Sequence, residues 1–361
     1  MYVQNLFIIV LSIFILSTLT NLDNTFAEEI NNTNSEKNTG HLKDSHQLTT
    51  FGSLPSWSHD GKQLVFVKNA PYGPFTPPDE IWIIDMDGSD PHPIKKMPKH
   101  TTASYPKFSP DGKKIAFISD YSDYSCSDCQ SRNYLSVMDS DGGYTREVAD
   151  GGYSLEFTWT ADNKIILARA NNQTSTSLFR IDPRLNSEPV FLTQLPLYID
   201  GWNIVINNDG TKLLFTGLDY HYNSQLYSLD LANYTMKTIQ ETDGLFLVSL
   251  SKDEQTIFAT DDSRSNSFTL YAIDAKNMTK TQLSYGYVGY AIHENTDTSS
   301  DIRIASGYYP GGVVSSEKEQ MDKIGIYVNT FVIPEFPFAI LVMATAVASL
   351  VVFHRITTIK I

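Results

Sequence analysis

The chain has 361 residues, 41% of them apolar and 19% charged, which suits a folded chain and excludes a wholly disordered one. Its formal charge of −14 excludes nucleic acid as a partner, because phosphate binding needs clustered Lys and Arg. An aromatic share of 12%, with 20 Tyr and 19 Phe, leans towards a β-rich fold.

Residues 1–27 read as a signal peptide. Leu6 to Leu19 forms an apolar core, and Thr25-Phe26-Ala27 places small residues at the −3 and −1 positions of a cleavage site. No Lys or Arg precedes that core, so an uncleaved anchor is the alternative. Residues 28–45 are a polar linker, and the next segment, 46–330, carries an internal repeat.

The repeat is a tight turn at Asp60, Asp111, Asp162, Asp209 and Asp253, spaced 51, 51, 47 and 44 residues apart. Its copies begin Ser58-His59-Asp60-Gly61, Ser109-Pro110-Asp111-Gly112, Thr160-Ala161-Asp162-Asn163, Asn207-Asn208-Asp209-Gly210 and Ser251-Lys252-Asp253-Glu254. A short strand-forming run follows each turn, such as Ile115-Ala116-Phe117-Ile118. A second motif keeps step: Ile81-Trp82-Ile83-Ile84-Asp85 first, Leu270-Tyr271-Ala272-Ile273-Asp274 fifth, with a degenerate sixth copy at Ile324 to Asn329. Four strands in about 45 residues read as propeller blades. Trp57, Phe108, Trp159, Ile206 and Leu250 each stand three residues before a turn Asp and are expected to pack between blades. The expected fold is a six-bladed, all-β propeller of four-stranded antiparallel blades, closed by an N-terminal strand at His46 to Thr50.

Cys126 and Cys129 are the only cysteines. In an exported chain they read as a local disulfide, with a free pair and redox or metal chemistry as the alternatives. Sequons at Asn31, Asn172, Asn233 and Asn277 are glycosylation candidates.

Residues 331–337 form a second linker. Phe336 to Phe353 then gives 18 uncharged residues, about 27 Å of helix, and predicts a transmembrane helix over 338–354. The basic tail, 355–361, is expected in the cytoplasm and the propeller on the extracellular face of the membrane.

The turn and strand motifs resemble the repeat of TolB-like propellers over roughly residues 46 to 330, most closely at Tyr105-Pro106-Lys107-Phe108-Ser109-Pro110-Asp111-Gly112-Lys113. That resemblance implies the fold and leaves function open, because such repeats serve scaffolds, transport partners and gating domains of peptidases. Pro334-Glu335-Phe336-Pro337 before the span resembles an archaeal C-terminal sorting signal of Pro-Glu-Phe type. It implies an archaeal source and a lipid replacing the span after cleavage.

Second-to-third-strand loops are long in blades one, two and six. They carry Tyr72 and Phe75, Tyr121 and Tyr124, and Tyr308 and Tyr309. Two readings stand for them: a contact face for an envelope or extracellular protein, peptide or glycan, or tolerated insertions. No serine-hydrolase elbow, zinc-protease motif or phosphate loop is present, and no cofactor or metal site is expected. The expected function is a surface-anchored, non-enzymatic binding scaffold. The alternative is an enzyme, or the accessory propeller of an envelope hydrolase, with its site in the central channel.

Overall fold

The computed structural model describes residues 41–68, 79–121, 132–152, 154–184, 188–219, 221, 223–261, 269–285, 291–294, 301–308 and 324–332. Blade one is β2 (Ser53–Trp57), β3 (Gln63–Lys68), β4 (Glu80–Asp85) and β5 (His92–Lys96). Blade two is β6 (Thr101–Phe108), β7 (Lys114–Tyr121), β8 (Arg132–Asp139) and β9 (Arg146–Asp150). Blade three is β10 (Ser154–Trp159), β11 (Ile165–Asn172), β12 (Ser175–Ile181) and β13 (Val190–Leu195). Blade four is β14 (Tyr198–Ile206), β15 (Lys212–Leu218), β16 (Ser224–Asp230) and β17 (Met236–Thr238). Blade five is β18 (Leu245–Leu250), β19 (Thr256–Asp261), β20 (Thr269–Asp274) and β21 (Lys280–Tyr285).

One further four-stranded sheet joins both ends of the described chain, in the order β1-β24-β23-β22. Its members are β1 (His41–Gln47), β22 (Ala291–Glu294), β23 (Asp301–Tyr308) and β24 (Ile324–Val332). The expected fold class is therefore corrected. Five blades, not six, are complete repeats of four consecutive strands, and the remaining place in the ring is taken by a closing sheet shared between the two ends. No helix among the described residues is long and apolar enough to cross a membrane, and the segment 338–354 lies outside them, as do residues 1–27.

The boundaries shift for the same reason. β1 pairs antiparallel with β24 from His41↔Val332 to Gln47↔Tyr327, so strand begins within the stretch read as linker and runs past residue 330. β1, His-Leu-Lys-Asp-Ser-His-Gln, carries no alternating apolar pattern of its own and becomes a strand because β24 satisfies its backbone groups.

The turns explain why the repeat Asp recurs. In blade one the Ser58 hydroxyl donates to Asp60 Oδ1 at 2.8 Å and accepts from the Gln63 amide at 3.0 Å. Asp60 Oδ1 also accepts from the Lys62 amide at 3.1 Å. Blades two and five repeat this with Ser109 and Asp111, and with Ser251 and Asp253. Blade four uses Asn207, whose carboxamide oxygen takes the Lys212 amide at 2.7 Å. Gly61, Gly112 and Gly210 supply the positive φ that such a turn needs.

Blades three and five place Asn163 (φ 59°) and Glu254 (φ 61°) at that position instead. Both side chains reach the preceding blade: Asn163 Oδ1 accepts from the Asp111 amide at 3.1 Å, and Glu254 Oε1 from the Asn208 amide at 2.9 Å. Their backbone cost is offset by a link between blades.

The core lies between blades. Phe66, Phe117, Phe215 and Phe258, all on second strands, are fully buried, worth about 1.5–3 kcal/mol each against an exposed ring. Phe108 packs with Val65, Val67 and Ile83 of blade one, and Trp159 with Ala116, Ile118 and Val137 of blade two. Trp57 packs with Ala305, Ile326 and Val328 of the closing sheet. Side-chain acceptors pin the next blade's first strand: Asp79 takes the Ala103 amide at 3.1 Å, Thr176 that of Ile199 at 3.0 Å, and Thr216 that of Leu247 at 2.8 Å.

Removing residues 1–47 leaves β24 with one open edge. The expected outcome is a lower melting temperature and self-association, read by calorimetry and light scattering, against a chain trimmed only to residue 40. Acid acts on the turns. Asp162 is lowered from 3.8 to about 2, first by the Thr160 hydroxyl and further by Lys164 and Arg180. Its stabilisation is complete above the unfolded value and lost as pH falls through the folded one. Between about pH 4 and about pH 2, Asp162→Asn should therefore lose melting temperature less steeply than the wild type.

Candidate functional site

Chain direction sorts the loops. In antiparallel four-stranded blades, the first–second and third–fourth turns share one face of the disc, while second–third loops and interblade links share the other. All five repeat Asp residues lie on the turn face. Asn233 and Asn277, in third–fourth turns, lie there too, whereas Asn172, between β11 and β12, lies on the loop face. The three thus lie in the neighbouring blades three, four and five, two on the turn face and one on the loop face.

These asparagines also have turn roles. Asn233 Oδ1 accepts from the Thr235 amide and Asn277 Oδ1 from the Thr279 amide, each at 2.8 Å. Asn172 Oδ1 takes the Thr174 amide at 2.8 Å. All three are exposed.

Of the expected contact residues, Tyr121 ends β7 and is half-buried, and Tyr308 lies on β23. Tyr72, Phe75, Tyr124 and Tyr309 lie outside the described residues, as do Cys126, Cys129, Asn31, Pro334, Glu335, Phe336 and Pro337. Among the described residues no three His, Cys, Asp or Glu side chains converge as metal ligands.

Two concave regions stand out. The larger is a cleft of about 1040 Å³ between the outer strand of blade one and blade two, lined by Lys95, Tyr121, Arg132, Tyr134, Arg146 and Glu147 among others. Tyr121 and Arg132 are cross-strand partners at the root of blade two's long loop. The Ser119 and Ser136 hydroxyls, 2.9 Å apart, lie at its wall. Arg146 is anchored by donating to the carbonyl oxygen of Pro183 in blade three. On the turn face, Gly142 (φ +86°) abuts blade one: an added Cβ would stand 1.8 Å from the Ile94 carbonyl oxygen. Only glycine lets the two backbones meet there.

The smaller region is the central channel, about 240 Å³, lined by first-strand residues of all five blades, including Ser56, Trp57, Tyr105, Lys107, Asn203 and Ser249. Lys107 Nζ donates to the Phe157 carbonyl oxygen at 3.0 Å and to Asn203 Oδ1 at 2.6 Å. It also lies 5.0 Å from the centre of the Phe157 ring. Asn203 Nδ2 in turn donates to the Val248 carbonyl oxygen at 2.7 Å. Burial lowers the Lys107 amine from 10.5 to about 8, with the Glu156 carboxylate opposing the shift. Sequence reasoning missed this residue, since Lys107 sits inside the repeat consensus and its partners are 50 and 96 residues away.

The amine thus stays charged at neutral pH and releases its proton well below an ordinary lysine. With the wild-type chain labelled at Lys Cε with ¹³C, one signal should titrate near pH 8 and vanish in Lys107→Met.

No protein-family model matches the sequence, and no curated protein matches it. Solved structures do. A protein assigned as TolB from Agrobacterium tumefaciens aligns with a TM-score of 0.50 at 13% identity, covering 77% of this chain and 90% of that one. TolB from Acinetobacter baumannii aligns with a TM-score of 0.48 at 19% identity, covering 63% of this chain and 53% of that one. A puromycin-hydrolyzing peptidase from Mycobacterium tuberculosis gives 0.48 at 11% identity, covering 73% and 43%. The matched part thus spans about half the length of the Acinetobacter protein. Together with the blade topology, the Agrobacterium alignment shows that the chain has a TolB-like β-propeller fold.

Proposed function

We propose that this propeller is an exported, surface-held binding scaffold that takes an acidic peptide segment of an envelope or extracellular protein in the cleft between blades one and two. The observation that supports it most is one of charge. A chain of formal charge −14 gathers Lys95, Arg132 and Arg146 in the cleft between blades one and two, against Glu147 alone. Cations on a local surface of an acidic protein steer an anionic partner to that surface and away from the rest.

The other lining residues fit the same occupant. Tyr121 and Tyr134 offer aromatic area with a hydrogen-bonding tip, a pairing favoured at contact surfaces. Ser119 and Ser136 offer hydroxyls to backbone groups. Arg146, tied to Pro183, is held in place before any partner arrives, which lowers the entropy cost of binding.

Fluorescence anisotropy with a labelled deca-glutamate peptide tests the proposal, with deca-lysine as control. The wild type should bind the glutamate peptide alone, and more weakly as salt rises. The double variant Lys95→Glu with Arg132→Glu should lose about tenfold or more in affinity while keeping its melting temperature. Equal binding of both peptides, or an unchanged affinity in the variant, would sink the proposal. Capture of a uronic-acid oligosaccharide and not the peptide would replace the occupant.

A further inference from the structure

The central channel differs from the cleft in every respect that matters for a ligand: it is narrow, built from innermost strands, and holds one buried cation. Lys107 carries three N–H donors. Two are used, on the Phe157 carbonyl oxygen and Asn203 Oδ1. Nζ makes no third hydrogen bond among the described residues, the Glu156 carboxylate acting on it only through its charge, and the side chain lines the cavity. A buried ammonium with a spare donor favours an anionic oxygen at that point.

The strands around it are deformed where they face the channel. Pairing register slips in the first strand of blade one between Ser53 and Ser56, and of blade two between Ser104 and Lys107. It slips again in blade four between Ile199 and Ile204, and in blade five between Leu247 and Ser249. Within the first two slips, Leu54 (φ 53°) and Tyr105 (φ 52°) adopt left-handed backbone immediately before Pro55 and Pro106. For bulky residues ahead of proline that conformation costs on the order of 1–2 kcal/mol each. Such bulges turn side chains out of the pleat, and Leu54, Ser56, Tyr105, Lys107, Asn203 and Ser249 all line the cavity.

A second cation borders the same wall. The Arg303 guanidinium lies 5.3 Å from the centre of the Trp57 ring, and its buried Nε has no hydrogen-bond partner among the described residues. Trp57 itself lines the channel.

We infer that the central channel is a binding site for a small organic carboxylate, held by the spare N–H of Lys107 and flanked by the Ser56 and Ser249 hydroxyls. The volume of about 240 Å³ equals roughly eight waters at ~30 Å³ each. That admits a short-chain acid and excludes a polymer. The site is separate from the acidic-peptide cleft, which opens between outer strands.

Isothermal titration with succinate, and with its uncharged dimethyl ester as control, tests the inference on the full chain. The wild type should bind succinate at one site with Kd of about 1 mM or tighter, and the ester not at all. Asn203→Asp places a carboxylate against the ammonium and should weaken succinate at least about tenfold while keeping the fold. Lys107→Met should abolish binding. The cleft variant Lys95→Glu with Arg132→Glu should bind succinate as the wild type does, so failure of either proposal is seen apart from the other. No heat with succinate, equal binding of the ester, or full affinity in Asn203→Asp would overturn the channel site.

Discussion

A four-stranded blade has two apolar faces and no interior of its own, so each blade in this protein is stable only while both neighbours cover it. Phe108 completes a cluster that begins in blade one, Trp159 one that begins in blade two, and Trp57 one that begins in the closing sheet. The ring must therefore close, or two faces stay wet. Closure rests on the pairing of β1 with β24, which joins residues almost three hundred positions apart. That constraint explains why the polar segment His41–Gln47 becomes a strand. It also explains why the hydrogen bonds beyond the ladders cluster at blade boundaries, as with Asp79, Asn163, Thr176, Thr216 and Glu254.

The same ring geometry creates both concave regions. Innermost strands converge and leave a channel. Outer strands diverge and leave gaps at the rim, one of them between blades one and two. Charge then separates the two. At the rim, Lys95 and Arg132 are partly in water, where their fields are screened and act mainly as steering. In the channel, Lys107 is desolvated and held by two fixed acceptors, so one donor there is worth more than one at the rim.

Much of the fold was legible in the chain itself. The turn Asp at 60, 111, 162, 209 and 253 each bonds to a residue two positions away, with Arg180 added only at Asp162, and local chemistry of this kind survives in a linear pattern. The large apolar residue before each turn was legible for a similar reason, since it recurs at the same step of every repeat. Less legible were the strand limits at His41 and Val332, because pairing with a distant partner decides them. Asn233 and Asn277 read as sequons, while their side chains serve turns that the Asp-x-x-Asn-x-Thr spacing encodes equally well.

The sequence by itself therefore determined the strand repeat, the turns and the residues buried between blades, because each depends on neighbours within one blade's length. Tertiary structure alone decided which residues meet at the ring's centre. Lys107, Phe157, Asn203 and Val248 come from four blades and share no motif. Their meeting follows from ring closure, which brings every first strand to one axis and forces the buried amine to find its acceptors across blade boundaries.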